Sequence, residues 1–287
     1  MITFPIAKIN LGLNIVEKRS DGYHNLETVF YPLPIHDALE IHEMDKGFPS
    51  SVDCDIKVSN MVIEGDEQKN LVVKAYNLLA QRFELPRLHV HLHKFIPSQA
   101  GLGGGSSDAA YMLTLLNREY RLGLDTEELI HLAKSLGADC PFFIDPQPAY
   151  ATGIGEKLTP VNLNLSGYHI AVIKPNIAVS TAEAFRNIIP EMPEKKCAEI
   201  VLQPIDTWKT ELQNDFEKSI FMQHPELQRI KDMLYDTGAA YASMSGSGSS
   251  IYGIYRQQPQ EEALKQACEE SGLSPYIQTT IVEKLSR

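Results

Sequence analysis

Residues 97–110 read Pro-Ser-Gln-Ala-Gly-Leu-Gly-Gly-Gly-Ser-Ser-Asp-Ala-Ala, with four glycines in the five positions 101–105. An alternating run over 88–95 precedes this stretch, and an apolar stripe of Ala109, Ala110, Leu113, Leu116 and Tyr120 follows it. The run therefore joins a predicted strand to a predicted helix. Glycine admits positive φ and close backbone approach, so successive N–H groups can converge on an anion where the helix dipole also favours negative charge. A phosphate cradle is expected. Two familiar loops fail on the letters: a Walker loop needs Lys then Ser or Thr after its last glycine, whereas Ser106 and Ser107 follow Gly105, and a dinucleotide fingerprint begun at Gly101 needs glycine at 106. A merely flexible connection would have little use for so strained a composition.

Composition narrows the partners. The chain has 287 residues, 43% hydrophobic and 22% charged, which suits two medium domains. No apolar run reaches the roughly 18 residues a membrane span needs, and no basic-then-apolar leader opens the chain, so a cytoplasmic protein without a membrane partner is expected. Cys54, Cys140, Cys197 and Cys268 lie far apart, the pattern of free, mostly buried thiols and not of a zinc or redox site. A net charge of −11 argues against a nucleic-acid partner. It leaves open a phosphorylated small molecule, which backbone N–H groups, a few lysines or a metal ion can bind locally.

Along the chain, Ala7, Ile9, Leu11, Leu13 and Ile15 alternate with Lys8, Asn10, Gly12 and Asn14, predicting a strand with two unlike faces and Lys8 beside Asn10. Asp21-Gly22 is a turn signal before a returning strand at 26–33. Strands are expected at 38–42 and 51–62, a helix at 70–83, and a helix opened by the capping oxygens of Ser106, Ser107 and Asp108. A further helix at 126–136 stops at Gly137, and Asp139 and Pro141 lead to an apolar strand at 142–144. Residues 145–160, rich in Pro and Gly, read as a passage between halves. Beyond it a strand is expected at 168–173, helices at 181–187, 225–235 and 259–271, and a strand at 250–255.

Several residues invite a chemical role. Lys8 is either a solvated strand residue or a ligand contact, and Asp139, between a helix end and an apolar segment, is either a turn residue or a catalytic base. A second small-residue run at 243–250 is either a hairpin or a ligand loop. His89, His91 and His93 share one strand face, but with no neighbouring acidic or cysteine pattern they read as an exposed face, and no protein-held metal is assigned.

Three segments then carry a resemblance. Pro5-Ile6-Ala7-Lys8-Ile9-Asn10-Leu11, the glycine run and the small-residue run at 243–250 occur in the order seen in the GHMP kinase superfamily, which includes galactokinase, homoserine kinase and mevalonate kinase. Residues 18–28, with Tyr23-His24, and residues 137–143 resemble the branch whose acceptor is a cytidine-diphosphate-linked polyol of the non-mevalonate isoprenoid route. The resemblance implies an α+β, two-domain fold. Residues 1–160 would form a ribosomal-protein S5 domain 2-like domain, residues 161–287 a ferredoxin-like domain, with the active site in a cleft.

It further implies ATP as co-substrate with Mg²⁺. Asp139 would take the acceptor's proton and Lys8 would steady Asp139 and the moving phosphoryl group. ATP would be held by Gly101, Leu102, Gly103, Gly104, Gly105, Ser106 and Ser107 together with Pro97, and on the adenosine side by Lys94 and Asn70. Ser106 or Ser107 would be the hydroxyl nearest the metal. A cytidine pocket would comprise Asn10, Tyr23, His24 and Phe185, in a monomer or weak homodimer. At 243–250, serines stand where relatives commonly have threonines and an alanine. The alternatives are another kinase of the superfamily acting on a sugar, homoserine or mevalonate, and a non-catalytic nucleotide-binding regulator, which would need neither Lys8 nor Asp139.

Overall fold

The computed structural model describes residues 1–61, 65–186, 188–270 and 276–281. Its strands are β1 (Ile2–Thr3), β2 (Ile6–Lys18), β3 (His24–His36), β4 (Ala38–Glu43), β5 (Cys54–Ser59), β6 (Leu88–His93), β7 (Ala149–Gly153), β8 (Lys157–Pro160), β9 (His169–Lys174), β10 (Tyr241–Met244), β11 (Ile251–Tyr255) and β12 (Tyr276–Ile281). Its α-helices are α1 (Leu71–Ala80), α2 (Gly104–Glu119), α3 (Thr126–Leu136), α4 (Thr181–Phe185), α5 (Cys197–Ile200), α6 (Ile205–Glu211), α7 (Asp215–Gln223), α8 (Pro225–Asp236) and α9 (Glu261–Glu270). The chain forms two compact units, each assembled from separated stretches. Unit 1 comprises Met1–Lys8, Ile35–Ser98 and Gly103–Pro146, and unit 2 comprises Ile9–Pro34, Gln99–Leu102 and Gln147–Arg287.

In unit 1 a sheet of order β1-β4-β6-β5, antiparallel except for the β5–β6 pair, carries α1, α2 and α3. Alternation in β6 explains the sidedness. Leu88, Val90 and Leu92 enter a core with Leu39, Ile41, Val72, Leu79, Leu113 and Leu116, while the three histidines take the opposite face. There Ser59 Oγ lies 2.8 Å from both His91 Nε2 and His93 Nδ1, and His89 pairs with Asp55 at 3.2 Å. The helix α3 matches its expected span, because Asp125 and Glu128 close a reciprocal capping box at its start.

Several sequence expectations need correction. The helix after the glycines starts at Gly104, with Gly103 as N-cap and no side-chain cap, so Ser106, Ser107 and Asp108 lie inside it. Residues 142–144 are not a strand: Cys140–Phe143 is a 3-10 helix with Pro141 in its first turn, where a missing N–H costs nothing. Unit 1 does end at Pro146, within the predicted passage. The rest of that passage is the antiparallel hairpin β7–β8. Val62, Asn187 and Ser271, at the ends of three predicted elements, lie outside the described residues.

Unit 2 holds two sheets. The first has order β2-β3-β7-β8. Leu13 and Ile15 of β2 join a core with Ala171, Ile173, Phe216, Ile230 and Tyr255. The other face of β2 is covered too, because segments past residue 196 that the sequence left unassigned fold over it. A Cβ on Gly12 would meet Cys197 Sγ and Leu212 Cδ1 at 2.6 Å, and Cys197 Sγ donates to Asn14 Oδ1 at 3.1 Å. The second sheet has order β10-β11-β9-β12 with every neighbour antiparallel. In chain order the elements are β9, helices, β10, β11, α9 and β12, and with the sheet order above they form the split βαβ arrangement of a ferredoxin-like fold. Among the described residues no helix is long and apolar enough to cross a membrane.

Candidate active site

The residues of unit 1 converge beneath the glycine segment. Lys8, 3% exposed, points its ammonium at Asp139, with Nζ 3.4 Å from Oδ2. Asp139 is the residue before the 3-10 helix, and its side chain is 32% exposed, so the carboxylate faces both the buried lysine and open space. Gly103 explains the close fit: its φ is +73°, and a Cβ there would lie 2.7 Å from the Phe143 ring and 3.2 Å from Lys8 Cε. A side chain at 103 would be strained and would push the lysine away.

The next loop positions rest on other expected residues. A Cβ on Gly104 would sit 3.2 Å from Lys94 Nζ, one on Gly105 would sit 3.9 Å from Leu71 Cδ1, and one on Gly137 would be 3.9 Å from Ser106 Oγ. Asn70, next to Leu71, accepts from Val72 N at 2.9 Å and so caps α1. Pro97 lies half-buried between Ile96 and the loop. The first turn of α2 thus opens without a side-chain cap directly beside the Lys8–Asp139 pair, an arrangement suited to an anion and to proton transfer at its edge.

Lys94 does not reach outward. It is 2% exposed and is held by Asp37 and, at 2.8 Å, by Asp108. Asp37 also accepts the N–H groups of Phe95 at 2.6 Å and Ile96 at 2.8 Å, fixing the exit from β6. Burial alone would lower the lysine's pKa, but the charges of Asp108 and Asp37 reverse that and raise it. Burial and the nearby charge of Asp37 push the Asp108 carboxyl up to about 7, against the opposing pull of Lys94. Asp108 Oδ1 and Ser107 Oγ are buried without a hydrogen-bond partner. Sequence reasoning missed Asp37, which has no local signal, and read Asp108 only as a cap.

The residues expected on the acceptor side all belong to unit 2. His24 opens β3 and its ring stacks on Phe185, the last residue of α4, with centroids 4.9 Å apart and planes 22° from parallel. Phe216, 2% exposed, backs Phe185 edge-on at 4.9 Å. Tyr23, at the turn before β3, is 61% exposed, and its N–H donates to Asp21 at 3.1 Å. Asn10 is buried, and its amide donates to Thr28 Oγ1 at 3.0 Å. Gly101 and Leu102 belong to this unit. Gly101, at φ +73°, leaves space for the carbonyl of Ser245, which would stand 1.9 Å from a Cβ. Residues 245–250 form the turn of the hairpin β10–β11.

Two family models and several relatives match the chain. The model described as "GHMP kinases N terminal domain" matches residues 70–145, and "GHMP kinases C terminal" matches residues 195–272. The chain is 52% identical over 265 residues to a 4-diphosphocytidyl-2-C-methyl-D-erythritol kinase of Bacteroides fragilis, covering 92% of this chain and 95% of that one. A relative of the same name from Bacteroides thetaiotaomicron is 55% identical over 258 residues, with 89% and 92% covered. A crystal structure of 4-(cytidine 5'-diphospho)-2C-methyl-D-erythritol kinase superposes with a TM-score of 0.78 at 30% identity, covering 97% of this chain and 98% of that one. Homoserine kinase from Cytophaga hutchinsonii, at 16% identity and a TM-score of 0.68 over 96% and 94% of the chains, shares the fold.

Proposed function

The chain belongs to the GHMP kinases, in the branch of the 4-diphosphocytidyl-2-C-methyl-D-erythritol kinases, and on that premise we propose that it transfers the γ-phosphoryl group of ATP to the 2-hydroxyl of that cytidine diphosphate polyol. The observation that carries the proposal is the Lys8–Asp139 pair held against Gly103. In this reading the acceptor oxygen attacks the γ-phosphorus, its proton passes to the Asp139 carboxylate, and ADP departs. Lys8 keeps the carboxylate oriented and offsets charge on the transferring group, and the main-chain N–H groups from Gly101 to Ser106 hold the triphosphate, that of Ser107 being donated to Gly103 O at 2.9 Å. His24 and Phe185 present an aromatic surface to the cytosine, and Tyr23 and Asn10 are assigned to the same acceptor.

Mg²⁺ fits the residues present. No group of three or more His, Cys, Asp or Glu among the described residues could cage a metal, which suits an ion held mainly by phosphate and water. Ser106, half-buried in the first turn of α2, is the hydroxyl within reach of such an ion in this reading, since Ser107 is wholly buried. Bound there, the ion would neutralise phosphate charge. Residues 1–160 would then carry ATP binding and catalysis and residues 161–287 would complete the acceptor side, in a cytoplasmic monomer or weak homodimer.

The test is an ADP-release assay with four acceptors: the cytidine diphosphate polyol, homoserine, mevalonate and galactose. Turnover with the first alone is expected. Turnover with one of the other three in its place would reassign the branch, and ATP binding without turnover on any of them would make the chain a nucleotide-binding regulator.

A further inference from the structure

Ser245 is fully buried, and its hydroxyl touches two separate main-chain segments at once. It donates to the carbonyl of Gly101 at 2.8 Å and accepts from the N–H of Asn10 at 3.3 Å. Its surroundings hold it rigidly. The Ser245 N–H donates to Ser250 O at 2.9 Å, Gly248 N–H donates to Ser245 O at 3.0 Å, and Ser250 N–H donates to Ala100 O at 3.2 Å. Asn214, capping α7, donates through Nδ2 to Met244 O at 2.8 Å and Gly246 O at 2.9 Å, tying the hairpin turn to the helix. On the far side of Asn10, the Tyr252 hydroxyl donates to its carbonyl at 2.7 Å.

Gly101 opens the phosphate loop, and Asn10 lies on the strand assigned to the acceptor. One hydroxyl thus joins the frames that hold the two substrates. We infer that Ser245 is a positioning residue for phosphoryl transfer, fixing the entry of the phosphate loop against the acceptor strand. The inference rests on the function proposed above. It touches neither substrate, so its loss should leave binding nearly intact and misalign the reacting atoms, where an ångström of displacement can cost on the order of 100-fold in rate.

The experiment compares kcat and both KM values in wild type, Ser245→Ala, Ser245→Cys and Ser245→Thr, with thermal unfolding of each. Ser245→Ala is expected to lower kcat about tenfold or more with both KM values within about threefold. Ser245→Thr, which keeps the hydroxyl, should recover kcat to within about threefold of wild type. Ser245→Cys, nearly isosteric with a weak donor, should fall between the two and decides the question if Ser245→Ala does not fold. Wild-type kcat in a folded Ser245→Ala or Ser245→Cys, or an equal loss in Ser245→Thr, overturns the inference and leaves the kinase reading standing. Failure of the wild type to phosphorylate the cytidine diphosphate polyol overturns that reading and this inference together.

Discussion

Lys94 Nζ and Asp108 Oδ2 meet 2.8 Å apart beneath the first turn of α2, sealed from water, with Asp37 closing the cluster from the other side. Two carboxylates share one ammonium under a loop built to take phosphate. The cluster therefore supports the loop mechanically and must not carry much net negative charge.

Removing the ammonium should be severe. Lys94→Met leaves two buried carboxylates facing each other, and breaking a buried ion pair by deleting one partner costs about 3–5 kcal/mol. A large drop in the thermal midpoint, or failure to accumulate as folded protein, is expected. A variant melting within a degree or two of wild type would show that the cluster supports nothing.

The sign of the pH dependence follows from Asp108. Burial pushes its folded carboxyl up to about 7, well above the ordinary carboxylate range, so the folded chain keeps a proton that the unfolded chain has already released. That stability is fully present below about pH 4 and is lost as pH rises towards 7. Asp108→Asn cannot ionise, so its midpoint relative to wild type should improve steadily from pH 5 to pH 7 and then level off. Parallel melting curves across that range would contradict the assignment.

Asp139→Asn keeps the shape of the side chain but removes the proton acceptor. Turnover should fall by more than about 100-fold, the usual scale of a general base, with ATP affinity nearly unchanged by calorimetric titration. Wild-type turnover would remove Asp139 from the mechanism.

His24→Ala should weaken the cytidine acceptor selectively. Loss of a stacked ring is worth about 0.5–1.5 kcal/mol beyond its area, so the acceptor KM should rise several-fold while the ATP KM holds. The reverse pattern would place the nucleotide, and not the acceptor, against the His24–Phe185 stack.

How much of this was legible beforehand depended on the range of the interactions. Strand β2 and helix α3 are encoded locally, by alternation in one case and by Asp125 and Glu128 in the other. The glycine run announced a close approach but not what approaches: the carbonyl of Ser245 at Gly101, and Phe143 with Lys8 at Gly103. Residues 142–144 read as a strand, and not as the end of the 3-10 turn they belong to, because a short apolar run has no period long enough to separate a strand from a helical turn. Lys94 was expected on the adenosine side, and its partners Asp37 and Asp108 lie 57 and 14 residues away, beyond any local pattern. The burial of Asn10 and Lys8 likewise depends on chain far downstream or on the fold as a whole.

The interleaving of the two units bears on how the chain folds as it is synthesised. Strands β2 and β3 emerge first, yet β7, which pairs with β3 through Leu26 opposite Gly153, and β9, whose residues share a core with Leu13 and Ile15, follow more than a hundred residues later. A nascent chain of 146 residues has all of unit 1 in hand, while the two leading strands of unit 2 still await their partners. Such distant pairings are entropically slow to close. The apolar edges of β2 and β3 are then where a stalled ribosomal product would be most exposed to chaperone capture or aggregation.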